Sequence, residues 1–389
     1  MPRSAKALIN PSVLKWAREF AGMSMNEASG RMHMPAGRIE TWETGSESPT
    51  VVQLRKLAKI YHQPLAAFYL PSPPDITRRI LRDFRRVRGQ SQRATSSDLT
   101  LDIQIAADRR AVALELYAER RESPPTFEFT ASSRSNSEAL ALRIRDLLGI
   151  SSDKQFKWRD PRVAFNAWRA PIESLGVLVF QATGVPVAEM RGYSVAELPL
   201  PIIVVNRKDT YGARSFTLLH EFTHLALRVE GICDPSEEGP ADSAAQRIEV
   251  FCNRVAGAAL VPLRVLLSEV SVPTGDGPRD WSDDEIETLA GRFGVSREVV
   301  LRRLLIAKLT TERFYKQMRR KYQEDYESRP KSQGFISPRR NALSALGKPF
   351  VRLVIDALHA GKITTSDVSD YLGIRVQHLG PLVRDLSAD

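Results

Sequence analysis

Two histidines four residues apart in an apolar stretch constrain this chain more than any other feature. The segment LLHEFTHLAL occupies residues 218–227. On a helix, residues four apart lie one turn above each other, so His220 and His224 can present two imidazoles to one cation. Glu221 projects about 100° around the helix axis from its neighbour, so it can reach a water on that cation without being a ligand. The segment therefore predicts a largely apolar helix that carries a metal site.

Zinc is the metal that this set of side chains favours. Zinc binds imidazole and carboxylate groups, keeps one position for water, and can lower the pKa of that water to about 7. Glu221 could then take the proton as water attacks a polarised amide carbonyl, and pass it to the departing amine. An isolated helical histidine is usually a core or surface residue, but a chance HExxH is expected on the order of 1 % of the time in such a chain. The motif therefore predicts a zinc peptidase.

The next long helical segment offers a third ligand. It reads RIEVFCNRVAGAALVP at residues 247–262, and Glu249 and Asn253 share one of its faces because they lie one turn apart. Glu249 is the preferred ligand, although an ordinary surface carboxylate is an alternative interpretation of it. Most of the competing acidic residues lie in a loop rich in proline and glycine, which holds a fixed geometry less well. These competitors are Asp234, Glu237, Glu238 and Asp242.

These motifs together resemble a known family. A strand followed by TLLHEFTHLAL and by ExxxNRxAxxxLxP is similar to the ImmA/IrrE family of bacterial metallopeptidases, over about residues 140–310. The resemblance implies that His220, His224 and Glu249 hold zinc and that Glu221 is the general base.

One departure from the family pattern lies beside the third ligand. Cys252 and Val255 stand where the family usually has alanine and phenylalanine, which changes packing and removes no ligand. Family members cleave a DNA-binding repressor at a specific site and so relieve repression of transcription. The resemblance therefore implies a regulatory endopeptidase. Tyr193, Tyr211 and Arg214 are chemically suited to stabilise an oxyanion, but each has an equally good structural interpretation.

The first part of the chain predicts an all-α domain with a second function. Residues 12–70 contain five short helical patterns, and PSPP at residues 71–74 ends them. Residues 23–45 resemble the Cro/repressor-type (XRE) helix-turn-helix family, in which the second helix enters the major groove of DNA. The exposed positions near the start of that helix are Ala36, Gly37, Arg38 and Thr41. Only Arg38 offers strong hydrogen bonds to a guanine edge, so docking of a protein is the alternative role.

Charge and cysteine usage narrow the class of protein. The net charge of +10 favours attraction to phosphate, and an arginine cluster follows the first domain. A solvated basic linker and a phosphate-binding segment are equally consistent with that cluster, which comprises Arg78, Arg79, Arg82, Arg85, Arg86, Arg88 and Arg93. The sequence contains only Cys233 and Cys252, and no run of about 18 apolar residues. We therefore expect a cytoplasmic protein with no disulfide framework and no membrane contact.

The pattern along the chain predicts a multidomain protein, mainly α with a small β-sheet. Short β-branched runs predict strands at residues 177–181 and 202–206, and helical periodicity predicts helices elsewhere. The predicted order is a helix-turn-helix domain, an α+β zincin-like metallopeptidase domain and a C-terminal helical segment. The predicted ranges are 1–72 for the helix-turn-helix domain, 73–135 for a basic linker and long helix, 136–310 for the metallopeptidase domain, 311–343 for a charged linker and 344–389 for the C-terminal segment.

Two functions from different classes are compatible with this organisation. The first is a zinc endopeptidase and transcriptional regulator that cleaves a cytosolic repressor or antitoxin and binds DNA through residues 1–72. The second is a DNA-binding regulator of toxin-antitoxin type whose zincin-like module has little or no proteolytic activity. A protein substrate, a toxin partner and a homodimer are the partners to be considered besides DNA.

Overall fold

Hydroxyl and amide side chains cap the N-terminal ends of several short helices in the first part of the chain. Asn10 caps α1 (Pro11–Phe20), Ser24 caps α2 (Met25–Met32) and Thr50 caps α4 (Val51–Ile60), each by accepting a backbone N–H of the first turn. Between them lies α3 (Gly37–Glu43), and a 3₁₀ helix (Leu65–Tyr69) follows. The predicted series of five helical segments is therefore present.

A computed structural model describes most of the chain, and the described residues divide into two compact units. The described residues are 5–35, 37–74, 96–158, 160–229, 231–233, 243–270, 277–328 and 337–387. Unit 1 comprises Met1–Asp108 and unit 2 comprises Arg109–Asp389. The arginine cluster of residues 78–93, and all four carboxylates considered as competitors of Glu249, lie outside the described residues.

Unit 1 has its own hydrophobic core. Its helices bury one apolar face each, and the largest side chains at the centre are Trp42, Tyr61 and Phe68, all at most 1 % exposed. Arg18 ties α1 to α3 because its guanidinium donates to both carboxylate oxygens of Glu43, at 2.7 and 2.9 Å. The division between the units falls at residue 108, inside α5 (Ser97–Glu119).

Unit 2 is mainly helical. Three helices that lie wholly in unit 2 precede the first strand of its sheet, and the others follow that strand in sequence. They are α6 (Ser137–Leu147), α7 (Ser152–Gln155), α8 (Pro161–Ser174), α9 (Tyr211–Ala226), α10 (Ala244–Leu260), α11 (Leu263–Glu269), α12 (Asp283–Phe293), α13 (Arg297–Ile306), α14 (Glu312–Ser328), α15 (Pro338–Leu346), α16 (Lys348–His359), α17 (Thr365–Leu372), a 3₁₀ helix (Val376–His378) and α18 (Leu379–Ser387).

A small sheet lies among these helices. Its strands are β1 (Leu178–Ala182), β2 (Gly192–Val195), β3 (Ile202–Asn206) and β4 (Gly231–Cys233), in the spatial order β1-β3-β2-β4. β1 and β3 are parallel, whereas β2 is antiparallel to both of its neighbours. The two strands predicted from β-branched runs are β1 and β3. The predicted class, mainly α with a small sheet, is confirmed for the described residues.

Buried side chains hold the C-terminal end of α10 in place. The last carbonyl groups of a helix lack partners within the helix, and here side chains from other elements supply them. Arg145 donates to the carbonyl of Ala259, Gln155 to that of Leu260, and Arg303 to that of Val261, at 2.7 to 2.8 Å. Since all three donors are at most 4 % exposed, these bonds fix the axial position of α10 within the core.

Residues 311–343 do not form the predicted charged linker throughout. Residues 312–328 form α14, and its apolar side chains spaced for one helix face pack into the core of unit 2. These side chains are Phe314, Tyr315, Met318 and Tyr322. Their burial outweighs the high charge of the rest of the segment, which remains on the solvent side. Residues 338–346 are also helical, and the helical pattern predicted for residues 283–305 is divided into α12 and α13 at Gly294.

Within the described part of the chain, no single helix is long and apolar enough to cross a membrane. The consecutive helices α10 and α11 reach that length only together, and they are bent by 47° relative to each other.

Candidate metal centre

α9 carries the HExxH motif through the interior of unit 2. Thr210 begins the helix by accepting the N–H of Ala213, and the helix then runs for 16 residues with almost every side chain buried. Leu218, Leu219, Phe222 and Leu225 belong to the hydrophobic core, each at most 1 % exposed. His220, Glu221 and His224 are equally buried, at 0, 0 and 1 % exposure. Polar groups buried to this degree require partners, which points to a ligand set.

α10 brings the third side chain to the same place. Ser243 caps this helix by accepting the N–H of Gln246, and the helix packs directly against α9. The face toward the core is made largely of small side chains, which allow two helices to approach closely. They are Cys252, Val255, Ala256 and Ala259. Glu249 lies one turn before this face begins, so its carboxylate reaches the histidines of α9.

The donor atoms of the three residues converge. His220 Nε2 lies 3.2 Å from Glu249 Oε2, and His224 Nε2 lies 3.2 Å from Glu249 Oε1. The two Nε2 atoms are 3.0 Å apart. One donor atom from each residue lies within 4.8 Å of the others, as in a group that could hold a metal ion. The structure therefore brings together all three residues predicted as ligands.

These separations fit a small divalent cation. Zinc lies about 2.0 to 2.2 Å from imidazole nitrogen and carboxylate oxygen, so donors at tetrahedral positions are roughly 3.3 Å apart. The observed separations of 3.0 and 3.2 Å are close to that value. A calcium site requires six to eight oxygen ligands, which this pair of imidazoles does not provide. The donor set thus suits zinc better than a hard cation.

Exposure to solvent differs among the three ligands. The side chains of His220 and His224 are 0 and 2 % exposed, whereas that of Glu249 is 33 % exposed. The donor cluster therefore meets solvent on the α10 side.

The electrostatics of the cluster couple the ligands. Burial lowers the pKa of His224, but hydrogen bonding to Cys252 and Glu249 and the charge of Glu221 outweigh it, so the pKa lies well above its ordinary value. Burial raises the pKa of Glu249, and the hydrogen bonds from His220 and His224 reverse this and hold the pKa far below its ordinary value. Glu249 therefore remains a carboxylate, the form that binds a cation.

Glu221 lies beside the donor cluster without belonging to it. Its Oε2 accepts a hydrogen bond from the hydroxyl of Ser194 at 2.8 Å, while its Oε1 has no hydrogen-bond partner among the described residues. Burial raises the pKa of Glu221, although the nearby imidazoles of His220 and His224 oppose the shift. A carboxylate with a raised pKa accepts and returns a proton near neutral pH more readily than an ordinary one.

Two neighbours of the cluster were not found from the sequence. Ser194 lies on β2, a four-residue strand that the sequence analysis did not predict, although an aromatic and a β-branched residue followed by a proline-rich turn signal it. Cys252 was interpreted mainly as a packing residue, and the structure places its thiol beside His224, where burial raises the thiol's pKa.

The oxyanion candidates have other contacts. Arg214 donates to the carbonyls of Asp209 and Arg207 and to the side chain of Gln181, and its guanidinium lies 4.2 Å from the ring centre of Tyr211. Tyr193 is fully buried on β2, where side chains alternate between faces, so it points away from the face that carries Ser194. These contacts indicate structural roles for Arg214 and Tyr211, and the orientation of Tyr193 turns it away from Glu221.

A cavity of about 970 Å³ lies at the N-terminal end of α9, apart from the metal ligands. Its walls include Tyr211 of α9, the capping residue Thr210, the start of α13 and part of α14. None of His220, Glu221, His224 and Glu249 lines it. The donor cluster and Glu221 therefore lie outside this cavity.

The residues predicted to touch DNA lie mostly on α3. Arg38 forms an ion pair with Glu47 at 2.7 Å, and its guanidinium lies 5.9 Å from the ring centre of Trp42. The hydroxyl of Thr41 donates to the carbonyl of Arg38 at 2.9 Å. Gly37 is exposed, and Ala36 lies outside the described residues. The contacts of these four residues with DNA stay a prediction.

The segment that builds the metal centre matches a known family model. Residues 172–305 match the IrrE N-terminal-like domain, Peptidase_M78. We call residues 172–305 the IrrE-like segment. It contains all four strands of the sheet, both helices that carry the donor cluster, and α11, α12 and most of α13. The match covers about a third of the chain and supports a metallopeptidase-family module there. A comparison with curated proteins found no match.

Proposed function

We propose that this chain is a zinc-dependent endopeptidase that regulates transcription by cleaving a repressor or antitoxin protein in the cytoplasm. The single observation that supports this most is the convergence of His220, His224 and Glu249 beside the buried carboxylate of Glu221. The match of the IrrE-like segment to a peptidase family agrees with it.

The four side chains divide into two roles in the proposed reaction. Two imidazoles and one carboxylate would hold the ion, which when bound supplies a Lewis acid that polarises a carbonyl group and acidifies water. Glu221 takes a proton as water adds to the carbonyl carbon of the substrate, and returns it to the amide nitrogen as the C–N bond breaks. The products are a carboxylic acid and an amine, so one water molecule is consumed for each bond cleaved.

Metal analysis of purified protein tests the ligand assignment. We expect about one zinc per chain in the wild type and a loss of zinc in His220→Ala and in His224→Ala. His359→Ala is the matched control, because His359 is an exposed histidine at the end of α16 and should leave the zinc content unchanged. Unchanged zinc content in the His220 and His224 variants would exclude the proposed site.

Co-expression with proteins encoded beside the gene tests the peptidase activity. We expect the wild type to cleave a neighbouring repressor or antitoxin, and Glu221→Gln to keep zinc while losing cleavage. If the wild type cleaves none of these proteins although zinc is bound, the alternative function gains support. In that alternative the chain is a DNA-binding regulator of toxin-antitoxin type whose zincin-like module has little or no hydrolytic activity, and a toxin becomes a candidate partner.

DNA binding through residues 1–72 is the second part of the proposal. Its support is the order of short capped helices and the resemblance of residues 23–45 to a helix-turn-helix. Arg38 must leave its ion pair with Glu47 before it can bind a base edge. We therefore expect Arg38→Ala to weaken binding to a labelled duplex from the promoter of its own gene, and Glu47→Gln to strengthen it. Binding that neither change affects would favour docking of a protein instead.

A further inference from the structure

Ser194 is in direct contact with Glu221. The residue lies on β2, is fully buried, and donates its hydroxyl proton to Glu221 Oε2 over 2.8 Å. Glu221 is also fully buried. A hydrogen bond to a carboxylate inside a protein is stronger than one at the surface, because water does not compete and the local dielectric is low.

The sheet holds Ser194 from both sides. β2 is an inner strand, and Ser194 pairs with Ile203 of β3 and with Gly231 of β4. Alternate residues of a strand point to the same face, so Gly192 and Ser194 both face α9. Backbone pairing on two sides leaves Ser194 little freedom to move relative to the sheet.

A glycine allows β2 to lie close to the catalytic helix. A Cβ atom at Gly192 would lie 2.4 Å from Thr217 Cγ2 and 2.8 Å from the carbonyl oxygen of Val204. It would also lie 3.5 Å from Glu221 Cγ. Any larger residue at this position would therefore push β2 and α9 apart, and would lengthen the contact between Ser194 and Glu221.

The two oxygens of Glu221 are left with different surroundings. Oε2 is occupied by Ser194, while Oε1 is buried and has no hydrogen-bond partner among the described residues. We propose that Ser194 is a positioning residue, which holds the Glu221 carboxylate by Oε2 so that Oε1 is the oxygen that takes the proton. This inference rests on the proposed peptidase function for its catalytic consequence, but the contact itself does not.

A purely structural role for Ser194 predicts a different result. Under that role the hydroxyl only compensates the burial of a carboxylate, and its removal lowers stability. Positioning predicts in addition a loss in kcat at unchanged zinc content, because Glu221 could then rotate away from the productive orientation. Stability alone does not separate the two roles, so the rate of cleavage is needed.

Ser194→Ala tests positioning, with Val195→Ala as its matched control. Val195 is 3 % exposed and neighbours Ser194 on the same strand, but it points to the opposite face. The substrate used is the repressor or antitoxin, encoded beside the gene for this chain, that the wild type cleaves. We expect Ser194→Ala to lower kcat by about 10- to 100-fold with KM changed less than about 2-fold and zinc retained. Val195→Ala should keep the wild-type kcat, and Ser194→Thr should recover part of the loss because it keeps the hydroxyl.

Equal kcat in Ser194→Ala and the wild type would overturn the inference while leaving the peptidase proposal intact. An equal fall in kcat for Ser194→Ala and Val195→Ala would also overturn it, since that result indicates a general effect of packing on β2.

A double-mutant cycle tests the contact between Ser194 and Glu221 without the need for a substrate. The variants are Ser194→Ala, Glu221→Ala and the double variant, each treated with a chelator and unfolded with urea. We expect the double variant to lose less stability than the sum of the two single losses, because the two side chains interact. Additive losses would overturn the inference. Coupling in this cycle, together with a wild type that cleaves nothing, would support the Ser194 contact and contradict the peptidase function.

Discussion

Gly192 illustrates how one residue without a side chain can determine the spacing of two elements. Its missing Cβ leaves room for Thr217 of α9 and for the backbone of β3. The same close approach brings Ser194 to Glu221. Glycine is thus required here for space, and the requirement is not visible in the sequence because Thr217 and Val204 lie far from it along the chain.

Gly192→Ala tests this requirement. We expect a loss of about 1 to 3 kcal/mol in the free energy of unfolding, because the added methyl group meets backbone as well as side-chain atoms. The matched control is Gly291→Ala, since a Cβ at this exposed position of α12 meets nothing within 4 Å. That variant should gain roughly 0.5 to 1 kcal/mol, because alanine favours a helix interior over glycine. Urea unfolding measures both changes. A free energy of unfolding that is the same in Gly192→Ala and the wild type would contradict the close packing at Gly192.

The pKa of His224 predicts how the metal-free protein responds to pH. Because its pKa is raised in the folded state, the stability that protonated His224 adds is fully present below the unfolded value of 6.5. This contribution is lost as the pH rises through the raised pKa. We therefore expect the stability difference between the chelator-treated wild type and His224→Gln to be largest below pH 6.5 and to shrink as the pH rises through the raised pKa of His224.

Urea unfolding over a series of pH values measures that difference. Comparing two variants cancels the contributions of groups that both share. A difference that grows with increasing pH would contradict the proposed interaction of His224 with Glu249. Zinc competes with the proton for the same imidazole, so its affinity should fall as the solution becomes more acidic.

At the scale of elements, α14 shows that a charged segment can belong to the core. Residues 312–328 contain many charges, yet their apolar side chains follow helical spacing and lie in the core of unit 2. Tyr322 also donates to Asp283 of α12 at 3.0 Å, and Arg297 of α13 pairs with Asp325 at 3.1 Å. The helix therefore packs against both α12 and α13 as part of the core of unit 2. It does not serve as a linker between two domains.

Met318→Ala tests the structural role of α14. Met318 is 7 % exposed within the core. Its truncation to alanine should therefore lower the free energy of unfolding by about 2 kcal/mol or more. Lys316→Ala on the same helix is the control, because the Lys316 side chain is 73 % exposed in an ion pair. Such a surface change usually stays within about 0.5 kcal/mol. Thermal unfolding that is equal in the two variants would mean that the helix does not contribute to the core.

At the scale of the whole molecule, the division into two units predicts more than one unfolding transition. Unit 1 and unit 2 each have a separate hydrophobic core, and a chain with more than one such core need not unfold in a single step. Leu57→Ala in unit 1 and Leu304→Ala in unit 2 each remove a side chain that is fully buried. Each should cost about 2 to 5 kcal/mol in its own unit.

Calorimetry of the two variants, with and without zinc, tests this division. Leu57→Ala should shift only one transition, and Leu304→Ala only the other. In the proposed site, zinc binds the folded form of unit 2. It should therefore raise the midpoint temperature of only that transition whose midpoint temperature Leu304→Ala lowers. A single transition that both variants lower equally would contradict independent units.

Much of the local structure could be predicted from the sequence. Ser24 and Thr50 mark helix starts that the structure contains, because a capping side chain finds its partner within one turn of the chain. The strands β2 and β4 were missed because they are only four and three residues long. Short strands form by pairing with distant segments, and a local pattern carries little information about such partners.

The sequence by itself determined that His220 and His224 share one face of a helix, with Glu221 beside them, because the α-helical repeat fixes the relation of residues four apart. It also marked Glu249 as the best third ligand. Only the tertiary structure decided that Glu249 reaches both histidines and that Ser194 occupies one oxygen of Glu221. These relations depend on how α9, α10 and the sheet pack, which is set by long-range burial and not by any local repeat.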